Sequence, residues 1–112
     1  MAVDELRWLL EGCRGLLEAH RLLGEVALGD NDLALARGHF GYAYELGMAA
    51  IPRDGLPGPL PYVQPANQPL FEAGKGLAWC LMQQGEADVA AGVVERLLAL
   101  DPSDPLNLKG LL

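Results

Sequence analysis

Apolar and small residues recur along the first quarter of this chain at helical spacing, with arginine and glutamate on the opposite side. That pattern predicts one continuous amphipathic helix from about Asp4 to Leu28. Arg7, Arg14 and Arg21 stand seven residues apart, and a glutamate follows each of them by four residues, within reach across one turn. The predicted inward stripe comprises Leu6, Leu9, Leu10, Cys13, Leu16, Leu17, His20, Leu23 and Ala27.

Three further helices and a short terminal one are predicted. The second runs from about Asp32 to Ala49 after a polar turn. The third begins near Asn67, whose side chain is a candidate cap, and ends at Gln84, and the fourth stops at Asp101-Pro102. Asp104-Pro105 predicts a fifth helix from Leu106 to the end. The predicted inward residues are Leu33, Ala36, Phe40, Ala43, Tyr44 and Gly47 in the second helix, Leu70, Gly74, Leu77, Ala78 and Leu81 in the third, and Ala90, Val93, Val94, Leu97 and Leu98 in the fourth.

The same spacing of small and apolar residues occurs twice. The first set is Gly24, Ala36, Phe40 and Ala43, and the second, 54 residues later, is Ala78, Ala90, Val94 and Leu97. A turn-forming residue, Asn31 or Gly85, follows the first member of each set by seven residues. Because small residues let two antiparallel helices approach closely, the pattern predicts two helical hairpins in equivalent register.

Residues 50–68 separate the two hairpins and contain five prolines, which exclude helix and favour extended backbone. The prediction is a single all-α domain over residues 1–112. It has a first hairpin at about 4–49, a proline-rich connection at about 50–68, a second hairpin at about 69–101 and a terminal helix at about 104–112. The connection lacks a P-x-x-P motif, so we expect it to be structural, with a binding role left open.

The charge and hydrophobicity of the chain argue against several classes of function. The net charge of −7 provides no basic surface for phosphate backbones, so nucleic-acid binding is disfavoured. No run of 18 apolar residues could span a membrane, and the acidic start of the chain does not resemble a secretory signal. We expect a cytoplasmic, bacterial protein in which Cys13 and Cys80 are reduced.

The second hairpin resembles a tetratricopeptide repeat (TPR). Residues 71–104 place small residues at Ala78 and Ala90, a glycine at the turn (Gly85) and a closing Leu-Asp-Pro at residues 100–102. Residues 17–50 match more loosely, and the aromatic expected early in each first helix is replaced by His20 and Gly74. The resemblance, to small uncharacterised bacterial TPR-like proteins, implies a right-handed stack of two hairpins plus a C-terminal helix.

The resemblance also implies a non-catalytic protein-protein interaction module that binds a peptide or partner helix in a groove lined by the first helix of each hairpin. Carried over position by position, the partner-binding residues are Arg21, Glu25, Leu28, Glu72, Lys75, Trp79, Met82 and Gln83, with Glu18 beside them. Trp79 lies off the core stripe and is the expected anchor, unless the proline-rich connection or the last helix covers it. A basic clamp for a peptide carboxylate is not expected, because only Arg21 and Lys75 are suitably placed.

The alternative function is a structural homo-oligomer, for instance a homodimer. The predicted first helix is longer than its partner, and its apolar end would be left for another copy of the chain. The interface residues of that hypothesis are Leu6, Trp8, Leu9 and Leu10.

The sequence offers no recognisable catalytic site, and we expect neither an enzyme nor a cofactor. His20 lies on the apolar stripe and His39 is expected to point elsewhere. Neither histidine is spaced with Cys13 or Cys80 as a metal motif requires, so no metal is expected.

Overall fold

The computed structural model describes residues 10–52 and 58–112, and this part of the chain contains four α-helices, three short 3-10 helices and no strand. The α-helices are α1 (Arg14–Gly29), α2 (Leu33–Ala50), α3 (Gln68–Gln83) and α4 (Ala87–Leu100). The 3-10 helices are Glu11–Cys13, Pro65–Asn67 and Leu108–Leu111. The predicted all-α class is therefore confirmed. None of the described helices is both long and apolar enough to cross a membrane.

The two predicted turns have the same backbone geometry. Asn31 and Gly85 both adopt a left-handed conformation, with φ of 59° and 76°. The amide of Asp32 donates to the carbonyl of Ala27, and the amide of Glu86 donates to that of Leu81, both at 2.9 Å. Each bond spans five residues and closes the C-terminus of a helix around a residue in the left-handed conformation. The turns are thus equivalent at an offset of 54 residues, as the repeated spacing predicts.

Glycines provide the close approach between helices. A Cβ atom added to Gly24 of α1 or to Gly76 of α3 would lie 2.7 Å from the ring of Phe40, which sits between them on α2. Leu70 contacts Gly47 in the same way, and Leu97 contacts Gly74. These large side chains fill the gaps that the glycines leave, so the core joins all four helices.

Helix α3 occupies the centre of the fold. It packs against α1, α2 and α4, whereas the closest packing of α1 is with α2. The described part of the proline-rich connection also lies along α3, where Leu60 is fully buried and Tyr62 meets Phe71 edge to face at 5.9 Å between ring centroids. Backbone bonds from Leu60 to Leu100 and from Tyr62 to the Asp101 carboxylate, 2.7 and 2.9 Å long, attach the connection to the end of α4.

The predicted first helix is wrong at its beginning. The α-helix starts at Arg14, because Glu11–Cys13 forms a 3-10 turn that ends in a non-helical Cys13 (φ −115°, ψ 6°). Glycines on both sides of Cys13 weaken the helix there. Asp4 and the rest of residues 1–9, including Leu6 and Leu9, lie outside the described residues. Within α1, the predicted inward residues Leu16 and Leu23 are exposed.

Two predicted caps also differ from the structure. Asn67 makes no cap bond; its backbone is already helical, and its buried side chain donates to the carbonyl of Pro61 at 2.8 Å. No α-helix begins at Leu106, because Asp104 and Asn107 both take positive φ values, 51° and 53°. Asp104 instead accepts from the amide of Leu108 at 2.6 Å and caps the short 3-10 turn.

Candidate functional site

A groove of about 440 Å³ lies between α1, α3 and the C-terminal segment. Five of the sequence-predicted partner-binding residues line it, namely Glu25, Leu28, Glu72, Lys75 and Trp79. The remaining lining residues are Phe40, Gly76, Leu106 and Leu111. The first helices of the two hairpins thus form a shared concave surface at five of the eight positions that sequence reasoning selected, whereas Arg21, Met82 and Gln83 do not line it.

Trp79 stands at the boundary between this groove and a smaller depression of about 170 Å³. The smaller depression is also lined by Gln83 and by residues of the first turn, including Leu28 and Asn31. The side chain of Trp79 is 41% exposed, although its neighbours Ala78 and Cys80 are fully buried. The prediction that Trp79 leaves the core stripe is therefore confirmed, and neither Leu106 nor Leu111 covers it completely.

Arg21 forms ion pairs with three glutamates beside the groove. Its guanidinium lies 3.2 Å from Glu72 of α3 and 3.0 Å from Glu25, and it also pairs with Glu18. The hydrogen bond to Glu18, followed by the charges of all three carboxylates, raises the pKa of Arg21 above its ordinary value despite partial burial. This cation therefore serves the ion-pair network across α1 and α3 and is not free to clamp a peptide carboxylate.

The network extends to the proline-rich connection. The Tyr62 hydroxyl donates to Glu72 at 2.9 Å. Burial raises the pKa of Tyr62, and the adjacent Glu72 carboxylate raises it further, so the phenol stays protonated as a donor. Lys75 donates to the carbonyl of Leu106 at 3.2 Å and so connects the groove wall to the C-terminal segment. The wall holds the three carboxylates of Glu18, Glu25 and Glu72 against two cations, and is therefore slightly acidic.

Met82 does not belong to the groove. It is half-buried against the hydrophobic core, and neither depression includes it in its lining. The helical position that the family pattern assigns to the groove is therefore used here for packing.

A second groove, which sequence reasoning missed, lies between α2 and α4. Its volume is about 540 Å³, with Leu77 and Leu81 of α3 lining it together with Gly38 and Gly41 of α2. Arg96 and Arg37 also line it; Arg96 donates to Tyr44 at 3.1 Å, and Arg37 lies 2.6 Å from Glu86. The two arginines of this groove are therefore already engaged in internal contacts. The sequence signal that could have indicated this groove is the pair of glycines, Gly38 and Gly41, three residues apart on α2.

The cysteines and histidines have different surroundings. Both cysteines are free thiols, as expected, and burial raises the pKa of each, which makes them weak nucleophiles. The expectation that His39 points away from His20 is wrong, because their Nδ1 atoms lie 3.1 Å apart. Groups of three or more potential metal ligands are absent from residues 10–52 and 58–112.

No protein-family model, curated protein or solved structure matches this chain. Its function therefore has to follow from the groove and the exposed faces themselves.

Proposed function

We propose that this chain is a non-catalytic, TPR-like protein-binding module whose groove between α1 and α3 takes an apolar segment of a peptide or partner helix. The observation that carries the proposal is the exposure of Trp79 between two depressions. Exposed tryptophans that border a concave surface are frequent anchors of protein interfaces. The localisation that suits such a module is the cytoplasm, as the sequence predicts.

The groove also indicates the chemistry of its partner. Its lining combines the apolar surfaces of Leu28, Trp79 and Leu106 with the carboxylates of Glu25 and Glu72. A segment with one large apolar side chain beside a lysine or arginine would match both features. Charge reversal by Glu25→Lys should then weaken binding and reduce its dependence on salt.

Selection from a random peptide library, followed by affinity measurements on the enriched peptides, tests this proposal. Trp79→Ala should weaken binding by at least tenfold, because it removes the aromatic anchor, and should leave the unfolding temperature nearly unchanged. Val63→Ala is the matched control, since Val63 is exposed and does not line the groove. Unchanged peptide affinity in the Trp79 variant, or a stability loss typical of a core residue, would contradict the proposal.

A second candidate function, self-association, is favoured by the outer face of α1. Leu16, Leu22, Leu23 and Val26 are all exposed, Val26 to 62%, and helical spacing places them with Gly15 and Ala19 on one face without a charged residue. Leu35 and Tyr42 of α2 are half exposed as well, and Tyr42 packs on His20 of α1. Apolar faces of this kind are typical of interfaces between copies.

This face differs from the interface that the sequence predicts. Leu10 is fully buried within the chain and cannot contact a second copy, and Leu6, Trp8 and Leu9 lie outside the described residues. A second copy fits this face because the face carries no charged residue, so two copies can meet there without burying a charge or setting like charges against each other.

Sedimentation velocity on the isolated chain tests the second candidate. We expect a dimer at micromolar concentration, conversion to a monomer by Val26→Glu, and no change with the matched control Val89→Glu, which places the same charge on an exposed valine of α4. A monomer in all three proteins at 100-fold higher concentration would exclude the dimer.

A further inference from the structure

The second groove, between α2 and α4, has the size and the lining of a site for a small molecule. Its volume of about 540 Å³ falls within the usual range of such sites, roughly 300–1,000 Å³. Apolar side chains from two helices line it, namely Leu77 and Leu81 of α3 and Val89 and Val93 of α4. An apolar surface with a few polar groups at its edge is the common lining of ligand pockets.

Two glycines of α2 keep this groove open. A Cβ atom added to Gly38 would meet no atom within 4 Å, and one added to Gly41 would lie in ordinary contact with Leu77 at 3.7 Å. Gly24 differs, because its added Cβ would lie 2.7 Å from the ring of Phe40. Glycine destabilises the interior of a helix relative to alanine. Close packing of helices therefore explains Gly24 but not the two glycines of the groove.

The two arginines of the groove have different partners. Arg37 lies 2.6 Å from Glu86, so a carboxylate compensates its charge. Arg96 donates to the neutral hydroxyl of the buried Tyr44 at 3.1 Å, and within residues 10–52 and 58–112 it forms no ion pair. The bond to Tyr44 holds the guanidinium beside the groove and uses one of its five N–H groups. Arg96 can therefore donate to a ligand.

We propose that the second groove binds a small carboxylic acid with an alkyl or aryl body. The ligand carboxylate pairs with Arg96, and the apolar body lies on the leucines and valines of the lining. A planar guanidinium matches a carboxylate through two parallel hydrogen bonds. Burial of the apolar body removes both its own surface and the exposed floor of the groove from water. None of the lining residues belongs to the groove between α1 and α3, so this site does not depend on the function proposed for that groove.

The charges near the groove permit an anion although the chain as a whole carries a net charge of −7. At physiological ionic strength, charges more than about 8 Å away are largely screened. The lining contains two cations, Arg37 and Arg96, and one carboxylate, Glu45. Because Glu86 compensates Arg37, the hydrogen bonds from Arg96 determine the selectivity for a carboxylate, and Glu45 opposes binding.

Isothermal titration of the chain with sodium octanoate tests the site. We expect one octanoate per chain, bound with a Kd below about 1 mM, as suits a short apolar ligand in an open groove. Sodium acetate, which lacks the apolar body, and octylammonium chloride, which reverses the charge, should each bind at least tenfold more weakly.

Three substitutions separate the charge of Arg96 from the net charge of the chain. Arg96→Gln removes the charge-assisted bond and should weaken octanoate binding at least tenfold. Arg14→Gln is the matched control and should bind like the wild type, because it removes the same charge from an exposed arginine of α1 that does not line the groove. Glu45→Gln should tighten binding by about two- to threefold through the loss of repulsion.

A fourth substitution blocks the groove without disturbing the core. Gly38→Leu places a side chain in the open space beside α2 and should weaken octanoate binding at least tenfold. Its unfolding temperature should not fall, because leucine has the higher helix propensity. The proposal is overturned if the wild type does not bind octanoate at millimolar concentration or if octylammonium binds as tightly. Binding at wild-type strength by both Arg96→Gln and Gly38→Leu would also overturn it.

Discussion

Helices α1 and α3 are both 16 residues long and both open a hairpin with the same turn geometry, yet their burial differs greatly. Helix α3 buries nine of its residues, because α1, α2, α4 and the proline-rich connection surround it. Helix α1 buries only three, Leu17, Gly24 and Ala27. Local sequence thus sets where each hairpin turns, and the position of a helix in the fold sets how much of it is covered.

The comparison separates the two proposed surfaces. Trp79 and Gln83 are the only exposed residues of α3, and both border the depressions beside the groove. Helix α1 instead has charged residues towards the groove and an uncharged apolar face on its outer side. A mutation on α1 can therefore affect the groove, the outer face or the core, depending on its helical position.

The largest expected effect distinguishes two adjacent leucines of α1. Leu17 is fully buried, so Leu17→Ala should lower the free energy of unfolding by about 3 kcal/mol through the lost packing and the cavity left behind. Leu16 lies on the outer face, and Leu16→Ala should cost less than about 1 kcal/mol in the monomer. Urea denaturation at low protein concentration measures both. Equal losses would mean that the outer face is covered.

The next largest loss of stability is expected at Gly76 of α3, where the absence of a side chain leaves room for the ring of Phe40. Gly76→Ala places a Cβ against Phe40, which Gly24 confines from the other side, so we expect a loss of about 2 kcal/mol. Gly92→Ala in α4 is the control. Its Cβ would meet only the end of Arg96 at an ordinary 3.7 Å, and the higher helix propensity of alanine should stabilise the protein by up to about 1 kcal/mol. Stabilisation by both substitutions would show that Phe40 can move aside.

The smallest effect concerns the contact between the proline-rich connection and the end of α4. Burial opposes ionisation of Asp101, but its hydrogen bonds from the Ser103 hydroxyl and from the amides of Tyr62 and Ser103 outweigh this and lower its pKa below 3.8. Asp101→Asn sets an amide donor against these donors and should cost about 1–2 kcal/mol at neutral pH. Because the folded pKa is the lower one, the stabilisation by the carboxylate is present above about pH 4 and is lost as pH falls through the lowered pKa.

Urea titrations at pH 7 and pH 3 of the wild type, Asp101→Asn and the control Asp88→Asn measure this effect. The difference between wild type and the Asp101 variant should shrink at pH 3. The exposed Asp88 should differ from wild type by no more than about 0.5 kcal/mol at pH 7. A constant difference across the pH range would show that the Asp101 carboxylate is not the stabilising form.

Much of the candidate groove could be predicted from sequence. Trp79 was selected because it stands one residue off an apolar stripe, and Glu25, Leu28, Glu72 and Lys75 because the repeat pattern places them beside it. Met82 was assigned wrongly, since helical periodicity alone does not show which flank of a stripe a neighbouring helix covers. The sequence also did not predict the second groove or the outer face of α1. Both depend on which sides of a helix its neighbours leave uncovered, and helical periodicity does not show this.

The sequence by itself determined the four α-helices apart from the start of α1, the two equivalent turns, and three of the glycines at the closest contacts, Gly24, Gly47 and Gly74. Those features depend on residues a few positions apart and on backbone conformations that few side chains tolerate. Only the tertiary structure decided that Leu10 is buried while Leu16 and Leu23 are exposed. It alone brought His20 to His39, 19 residues away on another helix. Rotation of one helix against the next sets such distances, and that rotation follows from packing of the whole core.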